Sequence, residues 1–303
     1  MSLRLRWPTR IALITLVVVV AGAAFVVVHF RLLQRGQSTP LTLEQIRDRY
    51  NQAASASTTP SDSTVTVVQG PSTTARPDVP PSTSADNSST TSSVTTAAVA
   101  ALPSPGVYVY TTTGRDSVDA LNGDHHDYPA TTTITVLPSG CGVLLRWDVI
   151  VQRWMTWQRC LVDDGVAQTA VVNFDQFFGQ SQTDTYTCAG DPRPLRAAVG
   201  ATWNFDCTQG TSVDHYRGVF VGTETLTIAE QPVSTSHVRV ELTGSTPPGP
   251  IDDSEVTETW YLDGTDLIVS QSAANATSNS TVIGTVHYKE QYEIVLTKLT
   301  PLE

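Results

Sequence analysis

Several catalytic signatures are missing from this sequence. It holds no Gly-rich phosphate cradle, no Gly-x-Ser-x-Gly elbow and no His-Glu-x-x-His run. That removes the sequence grounds for a nucleotide hydrolase, a serine hydrolase or a zinc peptidase. No Cys-x-x-Cys occurs among the four cysteines, so there is no zinc signature either. Lysine is scarce: Lys289 and Lys298 stand beside sixteen arginines, a compositional habit that says nothing of function. Between positions 53 and 105 there is no aromatic residue, while 12 Ser, 11 Thr and 7 Pro are present. Such a segment buries too little apolar area to offset its ordering entropy, and 53–105 reads as a disordered linker.

Charge is also missing from Ile11 to Val28. Eighteen residues in a helix reach about 27 Å, close to a hydrocarbon core. Residues 11–30 therefore read as a transmembrane signal-anchor, and the membrane is the first partner expected. Arg4, Arg6 and Arg10 precede the run, against Arg31 and Arg35 after it, which sets the N-terminus in the cytoplasm. The rival reading is a cleaved signal peptide ending near Ala21-Gly22-Ala23. Both readings put the rest of the chain outside the cytoplasm. The layout is then a cytoplasmic tail (1–10), the anchor, a juxtamembrane segment (31–52), the linker and an outer domain (106–303). Thr42-Leu43-Glu44-Gln45 forms a capping box that predicts a short helix in the juxtamembrane segment, resting near the membrane. The outer domain carries a net charge of −14 within the chain's −11. It will repel nucleic acid and anionic headgroups.

The outer domain reads as all-β. Cys141–Ile150 puts Val143, Leu145, Trp147 and Val149 on one face, and about a dozen such short or alternating runs follow one another. Pro138-Ser139-Gly140, Asp164-Gly165 and Asp263-Gly264 supply turns. The pattern predicts a curved antiparallel meander, closed as a barrel, left as a half-barrel or folded as a sandwich. Single helical turns are expected at Asn173–Gly179 and Pro194–Val199. Four cysteines in an extracytoplasmic domain imply disulfides. The midpoint of Cys141 and Cys160 falls at Ile150/Val151, where a tight turn pairs them across one hairpin. Cys188 and Cys207 are left for the second bond.

Three features could carry chemistry. His125 and His126 lie in a Gly123–Pro129 cluster rich in aspartate, but adjacent residues on extended chain point opposite ways, so a solvated loop is the simpler reading. Glu258 alternates with Val256, Trp260 and Leu262, and Glu290 with Tyr288, Tyr292 and Ile294. Both therefore read as inward carboxylates, paired with arginine in a structural role or forming an acid/base pair. Trp203 and Trp260, with the other tryptophans of this domain, either fill the core or form a ligand platform. No cofactor is implied.

The runs Gly106–Gly114, Tyr128–Thr133, Cys141-Gly142-Val143 with Arg146-Trp147, and Tyr288-x-Glu290-x-Tyr292 resemble a group of actinobacterial membrane-anchored proteins of unassigned function. More loosely, the meander is similar to the lipoprotein-carrier (LolA-like) half-barrel. That family folds a curved sheet around helices and holds acyl chains, whereas helix is scarce here and no lipidated cysteine is present. The expectation is a non-enzymatic, single-pass cell-envelope protein whose stalked domain binds a lipid, a cell-wall glycan or an envelope protein. An envelope hydrolase or transferase using Glu258 and Glu290, and a structural spacer or coat component, are the alternatives.

Overall fold

The computed structural model describes residues 36, 38–57, 102–163, 165–247, 253–281 and 284–302. The expected cytoplasmic tail, anchor and most of the linker lie outside them. Among the described residues no helix is long and apolar enough to cross a membrane.

Helix α1 (Leu43–Ser57) opens with the capping box in place. The Thr42 amide donates to Gln45 Oε1 at 2.9 Å, and the Gln45 amide to Thr42 Oγ1 at 3.2 Å. Its surroundings differ from the expectation. Ile46 is 3 % exposed, Arg49 pairs with Asp148 at 3.1 Å, and the segment before it bonds Gln152 through Thr39. The helix thus lies on the outer wall of the β domain, and it runs five residues past position 52, into the expected linker.

The β domain begins with β1 (Gly106–Val118), β2 (Asp124–Asp127), β3 (Thr131–Ser139), β4 (Gly142–Ile150) and β5 (Arg153–Val162). It continues through β6 (Gly165–Phe177), β7 (Gln180–Gly190), β8 (Arg193–Pro194), β9 (Thr202–Gln209) and β10 (Ser212–Ile228). β11 (Gln231–Thr246), β12 (Ser254–Leu262), β13 (Ile268–Thr281) and β14 (Gly284–Leu296) complete it. Most neighbours in sequence are antiparallel neighbours in space, and β14 returns to pair with β1 along Tyr110–Val118. Of the three all-β forms the sequence left open, the closed barrel is the one found. Twelve strands form the ring; β2 extends the edge of β1 beside β3, and β8 is a short patch on β6.

Closure follows from the pattern of side chains. Val, Ile, Thr and Tyr alternate along the strands, and residues directly opposite across each ladder share a face. On β4 the inward set is Val143, Leu145 and Trp147, all 4 % exposed or less. They meet Tyr108, Tyr110, Ile134, Ile294 and Leu296 in one packed core. Asn173–Gly179 is not a helical turn. Residues 173–177 continue β6, and Phe178 and Gly179 make the hairpin turn with φ of 52° and 67°. Phe174 and Phe177 then face opposite ways, as alternation requires. Arg193–Pro194 is strand and residues 195–199 are irregular, so the second expected helical turn is absent too.

Trp203 packs its indole into the space beside Gly218, directly opposite on β10, where any Cβ would collide with the ring. Gly218→Ala should lower stability by about 2 kcal/mol through overpacking. The urea midpoint measures it, and an unchanged midpoint would show that Trp203 can move aside.

Candidate functional site

The barrel interior has two halves. The half toward the β4–β5 turn is polar, and it is built from rows of residues that the ladders place side by side. Asp116 on β1 stands opposite Glu290 on β14, Glu290 opposite Asn275 on β13, and Asn275 opposite Glu255 on β12. On the other side of Asp116 is His126, and on the far wall Arg153 faces Asp175.

Arg153, 2 % exposed, is the hub. Its Nε and Nη2 donate to the two oxygens of Glu290, each at 2.9 Å, and Nη1 to the Trp154 carbonyl at 3.3 Å. Such a fork on a carboxylate is strong and directional. The Tyr128 hydroxyl donates to the same Glu290. Asp116 Oδ1 accepts the His126 amide and lies 2.8 Å from its Nδ1. Asp175 stands 3.4 Å from Arg153 Nε. Glu255 accepts from the Tyr216 hydroxyl at 2.9 Å.

Acceptors outnumber donors here. Asp116 Oδ2, Asp175 Oδ1, Asn173 Oδ1, Asn275 Oδ1 and the Tyr288 hydroxyl are buried and take no hydrogen-bond partner. One guanidinium serves four carboxylates: Asp116, Asp175, Glu255 and Glu290. Burial pushes the Asp116 and Glu255 carboxyls up from their ordinary range, and the charge of Glu290 adds to both shifts. Burial pushes Asp175 up to about 6, with Arg153 opposing and Glu290 adding. Burial and then Glu290 likewise raise Tyr128, Tyr288 and Tyr292, which stay protonated. Beside this half lies a groove of about 1140 Å³, bordered by Val118, Asp124 and Tyr288 and by the basic Arg115, His125 and Lys289. Asp124 fixes its rim, accepting the Gly36 amide at 2.7 Å and the Phe178 amide at 3.2 Å.

The sign of the pH response follows. An unfolded aspartate titrates near 4. Folded Asp175 holds its proton more tightly, so its contribution is most favourable below about 4 and is lost as pH rises to about 6. With its side chain 23 % exposed, the change is roughly 2 kcal/mol. Stability measured between pH 4 and 7 should fall with rising pH, and Asp175→Asn should flatten the slope. An equal slope in the variant would assign it to Asp116 and Glu255.

The two glutamates singled out in the sequence do not meet. Glu290 is inward, but Glu258 is on the outer wall. The inward set of β12 is Glu255, Thr257, Thr259 and Tyr261, with Thr259 and Tyr261 buried at 2 % and 5 %. The apolar Val256 and Trp260 set the expected phase, and they lie outside, opposite Glu241 and His237 on β11. Trp260 stacks on that imidazole at 4.1 Å, and Glu258 takes Arg239 Nη1 and faces His237 Nε2, both at 2.8 Å. Each glutamate therefore engages its own arginine, Arg153 or Arg239, while Arg146 pairs with Asp148. Trp203 is 4 % exposed in the core. His125 is half exposed and His126 is buried on Asp116, back to back on β2. No cluster of three metal-ligating side chains occurs among the described residues. Disulfides join Cys141 to Cys160 and Cys188 to Cys207.

Arg153, Asp116, Asp175 and Glu255 went unnoticed in the sequence. Alternation along β1 does put Asp116 in phase with Tyr108 and Tyr110, a signal that was available. Arg153 and Asp175 sit at strand ends, where a charge normally means exposure.

No family model matches this chain, and no curated protein matches it. Among solved structures, the hypothetical lipoprotein YmcC from Escherichia coli (K12) is similar at 14 % identity and a TM-score of 0.31. The match covers 63 % of this chain and 86 % of that one, and a likeness this weak carries no argument here.

Proposed function

We propose that the chain is a non-enzymatic cell-envelope protein whose barrel binds a polar, hydrogen-bond-donating ligand at its acidic half, a wall glycan bearing amino or hydroxyl groups. The observation that carries this reading is the set of buried polar groups without partners, one of which, the Tyr288 hydroxyl, belongs to a residue lining the adjoining groove. Unpaired buried acceptors are costly, and a ligand rich in N–H and O–H groups relieves that cost. The packed aromatic half of the interior and the charged rim of the groove speak against an acyl chain. The two disulfides support an oxidising compartment outside the cytoplasm. With the apolar run at 11–30 as a signal-anchor and Gly36 already bonded to Asp124 on β2, the barrel stands close against the outer face of the plasma membrane, its N-terminus inside.

Calorimetric titration of the full chain with chitosan and chitin oligosaccharides tests the reading. We expect saturable binding, tighter for the free amines, and at least tenfold weaker with Asp116→Asn. Tyr288→Phe removes the unpartnered hydroxyl at the groove and should weaken binding while leaving the Arg153–Glu290 fork in place. Absence of saturable binding to either series would overturn the glycan reading, as would unchanged affinity in both variants. A lipid co-purifying in the native mass spectrum would replace it with lipid carriage.

A further inference from the structure

A second pocket lies in the opposite half of the barrel, and its chemistry is inverted. β6 meets β7 from Ala170, opposite Thr187, onward, and meets β8 at Gly165 and Val166. Between these ladders, residues 167–169 have no partner on that edge. Cys188–Gly190 have meanwhile turned to pair with β9. The barrel wall therefore has a lateral window. Behind it is a pocket of about 310 Å³, lined by both sides of the window and by Trp203, Phe205 and Tyr261.

Its floor is cationic. Asp266, fully buried in the turn between β12 and β13, accepts two guanidinium bonds on a single oxygen. Arg159 Nη1 reaches its Oδ1 at 3.0 Å and Arg193 Nη2 at 2.6 Å. Arg193 is 7 % exposed and lies 3.8 Å over the Tyr261 ring, which Arg159 approaches at 5.5 Å. Two groups remain unused: Arg193 Nη1, a donor, and Asp266 Oδ2, an acceptor, are both buried and without partners. Two permanent cations face one carboxylate on this floor. Asp191 also borders the pocket, but it is exposed at the rim and accepts the Asn204 amide.

We infer that the window admits a small hydroxyl-bearing monoanion, a 2-hydroxycarboxylate or a hydrogen phosphate, which binds between Arg193 and Asp266. Its anionic oxygen accepts from Arg193 Nη1 and balances the excess charge. Its O–H donates to Asp266 Oδ2. A plain halide or an unhydroxylated carboxylate satisfies only the first of these. The volume suits an anion of a few heavy atoms beside the aromatic wall. The site is independent of the acidic half, since no residue is shared between them.

The test is an NMR titration of the oxidised full chain at pH 6. It follows the Trp203 indole and arginine side-chain signals against lactate, inorganic phosphate, acetate and chloride at matched ionic strength. Lactate or phosphate should give saturable shifts, with acetate and chloride at least tenfold weaker. The response to lactate or phosphate alone would tell which source of the chemistry the site takes. Arg193→Lys keeps a charge against Asp266 but loses the fork, and should weaken binding at least tenfold in a folded barrel. Gln168→Trp fills the window from its edge and should weaken binding with both arginines intact. Equal responses to chloride, or saturation unchanged in both variants, would overturn the inference.

Discussion

Arg153→Met should cost about 3–5 kcal/mol and leave the barrel folded only at mildly acidic pH. The arginine is 2 % exposed, and its fork holds Glu290, itself 4 % exposed, with Asp175 at 3.4 Å. Without it, four buried or half-buried carboxylates face each other with no guanidinium among them, and only His126 beside Asp116. Burial favours the neutral form of Asp116, Asp175 and Glu255, so the variant should recover as pH falls from 7 toward 5. Arg153→Met with Glu290→Gln removes one charge along with its partner and should regain a large part of the loss. Urea unfolding of the three proteins at both pH values measures this. A loss that is the same at pH 5 and 7, with no recovery in the double variant, would mean that packing around Arg153 matters rather than its charge.

Replacing Cys188 and Cys207 by serine should cost about 3 kcal/mol, and more than the same change at Cys141 and Cys160. The sequence separation is 19 for both bonds, so their effects on the unfolded chain are alike. The folded states differ. Cys160 is paired on both edges, opposite Gly142 on β4 and Ala167 on β6. Cys188 has a ladder on one edge only, opposite Cys207, with the window on the other. Losing that bond frees a strand end that little else restrains. Hydrogen exchange at residues 187–190 should rise strongly in the first variant, whereas residues 142–145 should stay protected in the second. Equal exchange at both places would show that the window edge is held by the segment after β7 instead.

How much of this was legible can be argued strand by strand. β4 was, because its core residues alternate without interruption and the Cys141–Cys160 hairpin fixes its register. The capping box at Thr42 was, because its two bonds are local. The phase of β12 was not. Val256 and Trp260 are more apolar than Thr257 and Thr259, and only the long-range ladders show that the threonines face inward. The same holds for the site. Arg153 and Glu290 are 137 residues apart, and nothing local records their meeting. The docking of α1 escaped for the opposite reason. A segment next to an apolar run reads as membrane-proximal, and its bonds to Gln152 and Asp148 are made only after the barrel exists.

The pairing of β1 with β14 also has a kinetic side. Thr111 meets Val295 across the seam, so the first strand of the ring waits for the last one to be made. Loop closure over that distance is slow, and most of the hairpins can form long before it. Until then two sheet edges stay open, at β1 and at the growing end, and both can pair wrongly with other chains. A protein of this topology gains from crossing the membrane unfolded and reaching its oxidising compartment before the seam closes. Its yield should then depend on how fast export and oxidation follow synthesis more than on the stability of the finished ring.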